Sequence, residues 1–144
     1  MKHSILRIAL IAMCGLFVAV NPAAAQSFWD PAHHHTSPGS GGAGLWNNTT
    51  ANWWVSGSAD VPWTPDNTAA FEGSPGNVTL GASVSASGLT FTAGGYELGP
   101  PSTPMVLTLS GTAPIIAVPA GNTTIYCALA GTGGLIKNGP GTQA

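Results

Sequence analysis

Three consecutive histidines, His33, His34 and His35, are the first residues in this sequence whose chemistry stands out. Neutral imidazole is a good ligand for zinc, copper or nickel. In an extended segment, however, three adjacent side chains do not all face one ion, and no cysteine or acidic residue lies at a metal-ligand spacing from them. We therefore predict no metal site and no cofactor, and we interpret the histidines as part of a flexible polar segment.

Tryptophan offers a second kind of chemistry, because an exposed indole face packs well against a sugar ring. The chain has five Trp residues, of which Trp53, Trp54 and Trp63 are the candidates for such a ligand platform. The first coil of a β-solenoid, however, needs a cover over its open core, and indole is large enough to provide one. We favour the cap and keep the carbohydrate platform as the alternative.

Carboxylates are the third candidate group. Asp60, Asp66 and Glu72 resemble in type the paired acids of a glycoside hydrolase, but Asp66 lies in ordinary turn sequence. No Gly-x-Ser-x-Gly nucleophile motif is present, and the segment GSGGAG lacks the lysine of a phosphate-binding loop. The sequence therefore predicts no catalytic residues and a non-enzymatic protein.

Residues 1–25 have the pattern of a secretory signal peptide. Lys2 and Arg7 accompany an apolar run over residues 6–20, and three alanines, residues 23–25, supply a small-residue cleavage site. The run is shorter than the ~20 residues that a membrane-spanning helix needs. We predict cleavage before Gln26, the Sec export machinery as a partner, and no membrane span in the mature chain.

The mature chain carries very little positive charge. No Lys or Arg occurs between Arg7 and Lys137. Binding to nucleic acid and to anionic lipid headgroups depends on these residues, so neither is expected as a partner. Cys127 is the one cysteine beyond the signal peptide, which excludes an internal disulfide.

The rest of the sequence divides by composition into three parts. Residues 26–44 are rich in Gly, Pro, Ser and His and are predicted to be a flexible leader, and residues 45–76 form a Trp-rich capping segment. Residues 77–144 alternate short apolar segments with turns such as GASVSASG. The predicted strands are residues 78–80, 89–91, 96–98, 106–109, 115–118, 124–129 and 135–136.

Regular short strands without any helical periodicity predict an all-β fold, which is a sandwich, a barrel or a β-solenoid. The strands are shorter than those typical of a barrel. The segments GLTF, LTLSG and GGLIKNGPGT share a loose apolar-Thr-apolar and Gly-turn pattern. Stacked coils bury a core that no single coil buries alone, so this self-similarity favours the solenoid. A small β-sandwich is the alternative.

The order of these segments resembles a known family. The segments NWWVSGSADVPWTPDNTAAFEGSPGNVTL, GLTF, GGYELGP, LTLSG and GGLIKNGPGT follow one another over residues 52–142. This order is similar to the opening of proteins with the autotransporter-associated β-strand repeat, also called the passenger-associated transport repeat. The resemblance implies an N-terminal Trp-rich cap that leads into the first coils of a right-handed parallel β-helix.

The resemblance also implies a location and a role. Such a chain is exported to the periplasm, cell surface or exterior of a Gram-negative bacterium, in connection with the outer membrane. Its role is structural and non-enzymatic, as the cap and stem start of an autotransporter-type passenger that serves adhesion to surface glycans or a host surface. The last repeat stops after Thr142, so we expect an N-terminal fragment, a truncated or remnant reading frame. The alternative is a secreted carbohydrate-binding β-sandwich that uses Trp53, Trp54 and Trp63.

Overall fold

The structure, a computed structural model, describes residues 24–99 and 104–144. Within these residues the backbone forms short β-strands and no helix, so the all-β prediction is confirmed. The predicted signal peptide lies outside the described residues except for Ala24 and Ala25. The strands are β1 (Gln26–Trp29), β2 (Gly44–Trp46), β3 (Trp53–Trp54), β4 (Thr68–Phe71), β5 (Asn77–Leu80), β6 (Val84–Ala86), β7 (Gly88–Phe91), β8 (Glu97–Leu98), β9 (Val106–Leu109), β10 (Ile115–Ala117), β11 (Asn122–Ile125), β12 (Ala128–Ala130), β13 (Ile136–Asn138) and β14 (Thr142–Gln143).

The strands form three sheets, and from β4 onward each sheet takes every third strand. The order is β13-β10-β7-β4-β1-β3 in the first sheet, β14-β11-β8-β5-β2 in the second and β12-β9-β6 in the third. All neighbouring strands in the described residues are parallel except β1 and β3, which pair antiparallel. The chain therefore climbs by one coil for every three strands. This is the architecture of a parallel β-helix, as predicted.

Side chains at equivalent positions of successive coils stack along the interior. On the first sheet Ala69, Leu89 and Ile116 are in register and buried. The rings of Phe71 and Phe91 lie stacked, with centroids 4.9 Å apart and an interplanar angle of 12°. Because strand side chains alternate between two faces, one residue in two is available to build these stacks. The alternation seen in the sequence is thus the inward and outward alternation of the coils.

The last coil is covered on one side alone. Leu129 of β12 is in register with the buried Leu107, yet it is exposed, as are all residues of β12 and β13. Lys137 occupies the position in register with Ile116, and its Nζ donates hydrogen bonds to the carbonyl oxygens of Gly139, at 2.6 Å, and Gly141. Burial therefore decreases along the helix axis toward β14.

Two local predictions are wrong. The predicted strand 124–129 is divided between β11 and β12, with Tyr126 and Cys127 at the corner between two sheets. The predicted turn GASVSASG contains β6, in which Val84 and Ala86 are buried. A continuous apolar run does not reveal a corner, and a strand built of small residues resembles a turn in composition.

The start of residues 26–44 is also not a flexible leader. Its first residues form β1, which lies between β3 and β4 in the first sheet. Trp29 and Asp30 are fully buried. The sequence of Gln26–Trp29 does not alternate in polarity, because the two buried positions are Ser27 and Trp29, so no period of two identifies the strand.

Candidate functional site

Four tryptophans meet at the end of the β-helix that lies opposite the last coil. Trp29 ends β1, Trp46 ends β2 and Trp53 begins β3. The pairing of β1 with β3 in the first sheet, and of β2 with β5 in the second, places the three indoles in a common interior. Trp63 follows Val61, which forms an antiparallel bridge with Trp53. We call these four residues the tryptophan cap.

Trp53 is at the centre of the tryptophan cap. Its ring centroid lies 5.1 Å from that of Trp29, 5.0 Å from that of Trp46 and 4.5 Å from that of Trp63. It also lies 5.6 Å from Phe71, the first ring of the phenylalanine stack. The pairs are tilted or edge-to-face, which is the arrangement that aromatic quadrupoles favour. The tryptophan cap therefore continues the core stack and covers its first coil.

The indole N–H groups of the tryptophan cap are satisfied unequally. Trp29 Nε1 donates to the carbonyl oxygen of Gly42 at 2.9 Å, and Trp63 Nε1 donates to that of Ser85 at 2.9 Å. The Nε1 atoms of Trp46 and Trp53 are buried and have no hydrogen-bond partner among the described residues. Two indoles are thus tied to the backbone of neighbouring segments, and the other two are held by packing.

The predicted ligand platform is largely inaccessible. Trp53 is 0% exposed and Trp63 is 3% exposed, so neither presents a ring face to a ligand. Trp54 is half-buried, with its ring 5.4 Å from that of Phe28 and its Nε1 donating to Ser58 O at 3.1 Å. Of the three platform residues, Trp54 alone offers part of a face. Trp29, which sequence reasoning placed in the leader, belongs to the core instead.

A second cluster joins the segment after β1 to the loop after β3. His33 Nδ1 and His35 Nε2 both contact Asp60 Oδ2, the latter at 3.0 Å. Asp60 lies 25 residues from His35 in the sequence, a separation at which spacing indicates nothing about contact. We call these three residues the His–Asp cluster. Among the described residues it is the one place where three side chains of a metal-ligating type converge.

Asp30 fixes the backbone from which the two histidines project. Its buried carboxylate accepts hydrogen bonds from His35 N at 2.7 Å and from Ser40 N at 2.9 Å, and its own N–H donates to Asn52 O at 2.9 Å. Burial alone raises the pKa of Asp30, but these hydrogen bonds stabilise the carboxylate more strongly, so its pKa lies below the usual value. Asp30 is therefore an ionised structural anchor.

The other predicted acids are separate from this cluster. Asp66 lies in the turn before β4 with a positive φ of 65°, and its N–H donates to Ser85 O at 3.2 Å. Glu72 directly follows β4, where its carboxylate accepts a weak hydrogen bond of 3.4 Å from Ser37 Oγ. In the described part of the chain, neither acid joins a group of three metal-ligating side chains.

Within residues 24–99 and 104–144 there is no helix with the length and apolar character that crossing a bilayer requires.

The fold and the tryptophan cap together define the class of this protein: it is a parallel β-helix that is closed at one end by aromatic side chains. The chain is 37% identical over 137 residues to the adhesin BmaC autotransporter of Brucella suis biovar 1 (strain 1330). The alignment covers 91% of this chain and 4% of that relative, so the chain spans a small part of the relative's length. No family model matches the chain, and no solved structure matches it. The chain is thus related to an autotransporter adhesin, and its membership of the β-strand repeat family stays a prediction.

Proposed function

We propose that this chain forms the cap and the first coils of the stem of an exported, autotransporter-type passenger. In this role the chain is structural and non-enzymatic, and it reaches the cell surface or exterior through the Sec machinery. The relative is named an adhesin, which supports adhesion to surface glycans or a host surface as the purpose of the whole protein. The segment itself supplies the rigid start of the stem.

The observation that carries this proposal is the difference between the two ends of the β-helix. At one end the tryptophan cap covers the interior of the first coil. At the other end Leu129 is 38% exposed although its in-register neighbour Leu107 is fully buried. A cleft of about 220 Å³, lined by Leu109, Leu129 and Leu135 among others, opens beside it. A solenoid with one closed and one open end adds coils in a single direction.

Burial of two platform residues argues against the carbohydrate-binding alternative. A sugar ring needs an accessible aromatic face, and the faces of Trp53 and Trp63 are occupied by other rings. Trp54 alone provides too small a surface for a platform of the kind that three aligned indoles would form.

The test of the stem proposal is a chimera in which the adhesin residues that follow the matched segment are fused after Ala144. We would introduce Leu129→Ser into both the parent chain and the chimera and measure the free energy of unfolding in urea. If a further coil stacks on β12, Leu129 is buried on both sides in the chimera. The substitution should then cost about 2–5 kcal/mol there, as for other core leucines, and at least about 1 kcal/mol less in the parent.

Ala128→Ser is the matched control, because Ala128 is the exposed neighbour of Leu129 on β12 and strand residues alternate between faces. Its cost should be small and equal in both proteins. Equal costs of Leu129→Ser in parent and chimera would contradict the stem proposal. A pull-down of the parent on bacterial and host polysaccharides accompanies the test, and strong retention of the parent chain would favour the binding-module alternative.

A further inference from the structure

We propose that His33, His35 and Asp60, the His–Asp cluster, form a binding site for a divalent transition metal ion, with Zn²⁺ as the ion to test. The site lies on the outer side of the capped end, where the segment after β1 meets the loop after β3. This inference stands independently of the role proposed for the stem.

The positions of the three ligand atoms suit one ion. His33 Nδ1, His35 Nε2 and Asp60 Oδ2 all lie within 4.8 Å of one another. A tetrahedral zinc ion with bonds of about 2.0–2.2 Å holds its ligand atoms about 3.3–3.6 Å apart. The His35–Asp60 distance of 3.0 Å is below this range and the His33–Asp60 contact is shorter still, so the side chains would rotate apart to admit the ion. Two imidazoles and one carboxylate are a donor set that zinc proteins use, with water in the fourth position.

Asp60 provides the second, independent observation. Its side chain is 5% exposed, and its Oδ1 is buried without a hydrogen-bond partner among the described residues. A carboxylate removed from water needs a compensating positive charge. In the described part of the chain Lys137 is the one Lys or Arg, and it lies in β13, at the opposite edge of the first sheet from β1 and β3. No Lys or Arg is therefore placed to neutralise Asp60, and a cation held between its carboxylate and the two imidazoles that contact it would supply that charge.

The backbone holds the two histidines in place for this contact. His33 and His35 have positive φ angles of 57° and 56°, in the left-handed region that few non-glycine residues adopt. His33 N donates to Asp30 O at 3.0 Å, and His35 N donates to the Asp30 carboxylate. Such locally unfavourable conformations cluster at ligand sites, where the surrounding structure enforces them. The rings of His33 and His35 therefore converge on Asp60 Oδ2, because hydrogen bonds to the buried Asp30 hold the backbone on which both histidines lie.

The imidazole rings of the proposed site are exposed, so a metal ion can exchange between the site and solvent. The side chains of His33 and His35 are 54% and 49% exposed, so an ion reaches the site without opening of the fold. Once bound, the ion would connect the segment after β1 to the loop after β3. Metal binding to the folded chain would then raise the melting temperature, and the rise would grow with the logarithm of the free Zn²⁺ concentration once that concentration exceeds the Kd.

The experiment uses the mature chain purified without a histidine tag. Zn²⁺ binding is measured by isothermal titration calorimetry and by competition with a chromophoric chelator. The absorption spectrum of bound Co²⁺ reports the coordination geometry. We expect one Zn²⁺ per chain, a tetrahedral Co²⁺ spectrum, and no competition from Mg²⁺, which prefers oxygen ligands in octahedral geometry.

The variants His33→Asn and His35→Asn remove one ligand each, and asparagine tolerates the left-handed conformation, so the fold is retained. Each should weaken Zn²⁺ binding by more than about 10-fold, since changes in outer-shell partners of metal ligands already cost 10–100-fold. Asp60→Asn should weaken binding to a similar degree, with circular dichroism as the check that the variant is folded. His34→Asn is the matched control, and it should bind Zn²⁺ like the parent.

Three results would overturn the proposal. Absence of Zn²⁺ binding by the parent would mean that the histidines form hydrogen bonds with Asp60 and nothing more. Equal loss in His34→Asn and His35→Asn would indicate unspecific binding by a histidine tract. Full retention of binding in the folded Asp60→Asn variant would remove Asp60 from the ligand set.

Discussion

Replacement of Trp53 by alanine is the strongest test of the tryptophan cap. Trp53 is fully buried and contacts the rings of Trp29, Trp46, Trp63 and Phe71. The substitution would leave a cavity at the point where the cap meets the phenylalanine stack. Because the tryptophan cap is what covers the first coil on this side within residues 24–99 and 104–144, we expect the effect to extend to the folding of the whole domain.

The expected magnitude follows from these contacts. Truncation of a buried large aromatic residue costs about 3–5 kcal/mol. The aromatic pairs, each worth about 0.5–1.5 kcal/mol beyond their area, place Trp53 toward the upper part of that range. Against this, the substitution also removes the unpartnered indole N–H, whose burial costs about 1–3 kcal/mol. We therefore expect a loss of about 3–4 kcal/mol, a large share of the 5–15 kcal/mol typical of a whole domain.

The assay is urea unfolding followed by circular dichroism, with thermal melts in parallel. Trp54→Ala is the matched control: it removes the adjacent indole, which makes one aromatic pair and one exposed hydrogen bond, and should cost about 1–2 kcal/mol. Trp53→Phe retains a ring and loses the N–H, so its cost should fall below that of Trp53→Ala. If Trp53→Ala melted like the parent, or Trp54→Ala cost more than Trp53→Ala, the cap would not be what covers the first coil.

Tyr96, the last coil and the predicted signal peptide each carry a further prediction. Burial raises the pKa of Tyr96 to about 12, against 10.0 for a free tyrosine, and Glu72 adds to the effect. The unfolded chain therefore releases this proton first as pH rises, and the free energy of unfolding should fall by about 2–3 kcal/mol between about pH 10 and 12. Tyr96→Phe should abolish that fall in urea titrations at fixed pH; a fall of the same size in the variant would assign it to another group. Hydrogen exchange should be faster in residues 125–136 than in residues 89–109, and equal protection would contradict an uncovered last coil. N-terminal sequencing of exported protein should begin within one or two residues of Gln26, whereas intact Met1 would contradict the predicted cleavage.

The coil architecture was predictable because it repeats. Each turn of the β-helix needs short strands with one inward face, and this requirement recurs at regular intervals from Asn77 onward. β9 coincides with its predicted bounds, and β5, β7 and β10 deviate by one residue. Because every coil needs short strands with one apolar inward face, the sequence repeats short apolar segments at regular spacing, and this repetition is visible in a single sequence.

The corners between sheets were less predictable, because the position of a corner depends on contacts with the neighbouring coil and not on the local sequence pattern. Residues 125–129 are apolar without interruption, yet the chain turns at Tyr126 and Cys127 to enter the third sheet. Close packing marks this position: a Cβ on Gly99, one coil earlier, would lie 2.6 Å from the Cβ of Cys127. The signal for the corner is therefore in the neighbouring coil and not in the strand that bends.

The His–Asp cluster and the core position of Trp29 both escaped prediction for one shared reason, the antiparallel pairing of β1 with β3. This pairing sets Trp29 opposite Trp53. The antiparallel bridge between Trp53 and Val61 then places the end of the loop after β3 beside Trp53. Asp60 directly precedes Val61, so it lies next to the segment that follows Trp29 and carries the two histidines. The family resemblance begins at Asn52 and contains no strand equivalent to β1. Without β1, Trp53 lacks the strand that pairs with its own, and the histidines have no acid within reach. One unpredicted strand thus accounts for both the completed tryptophan cap and the site proposed for the metal ion.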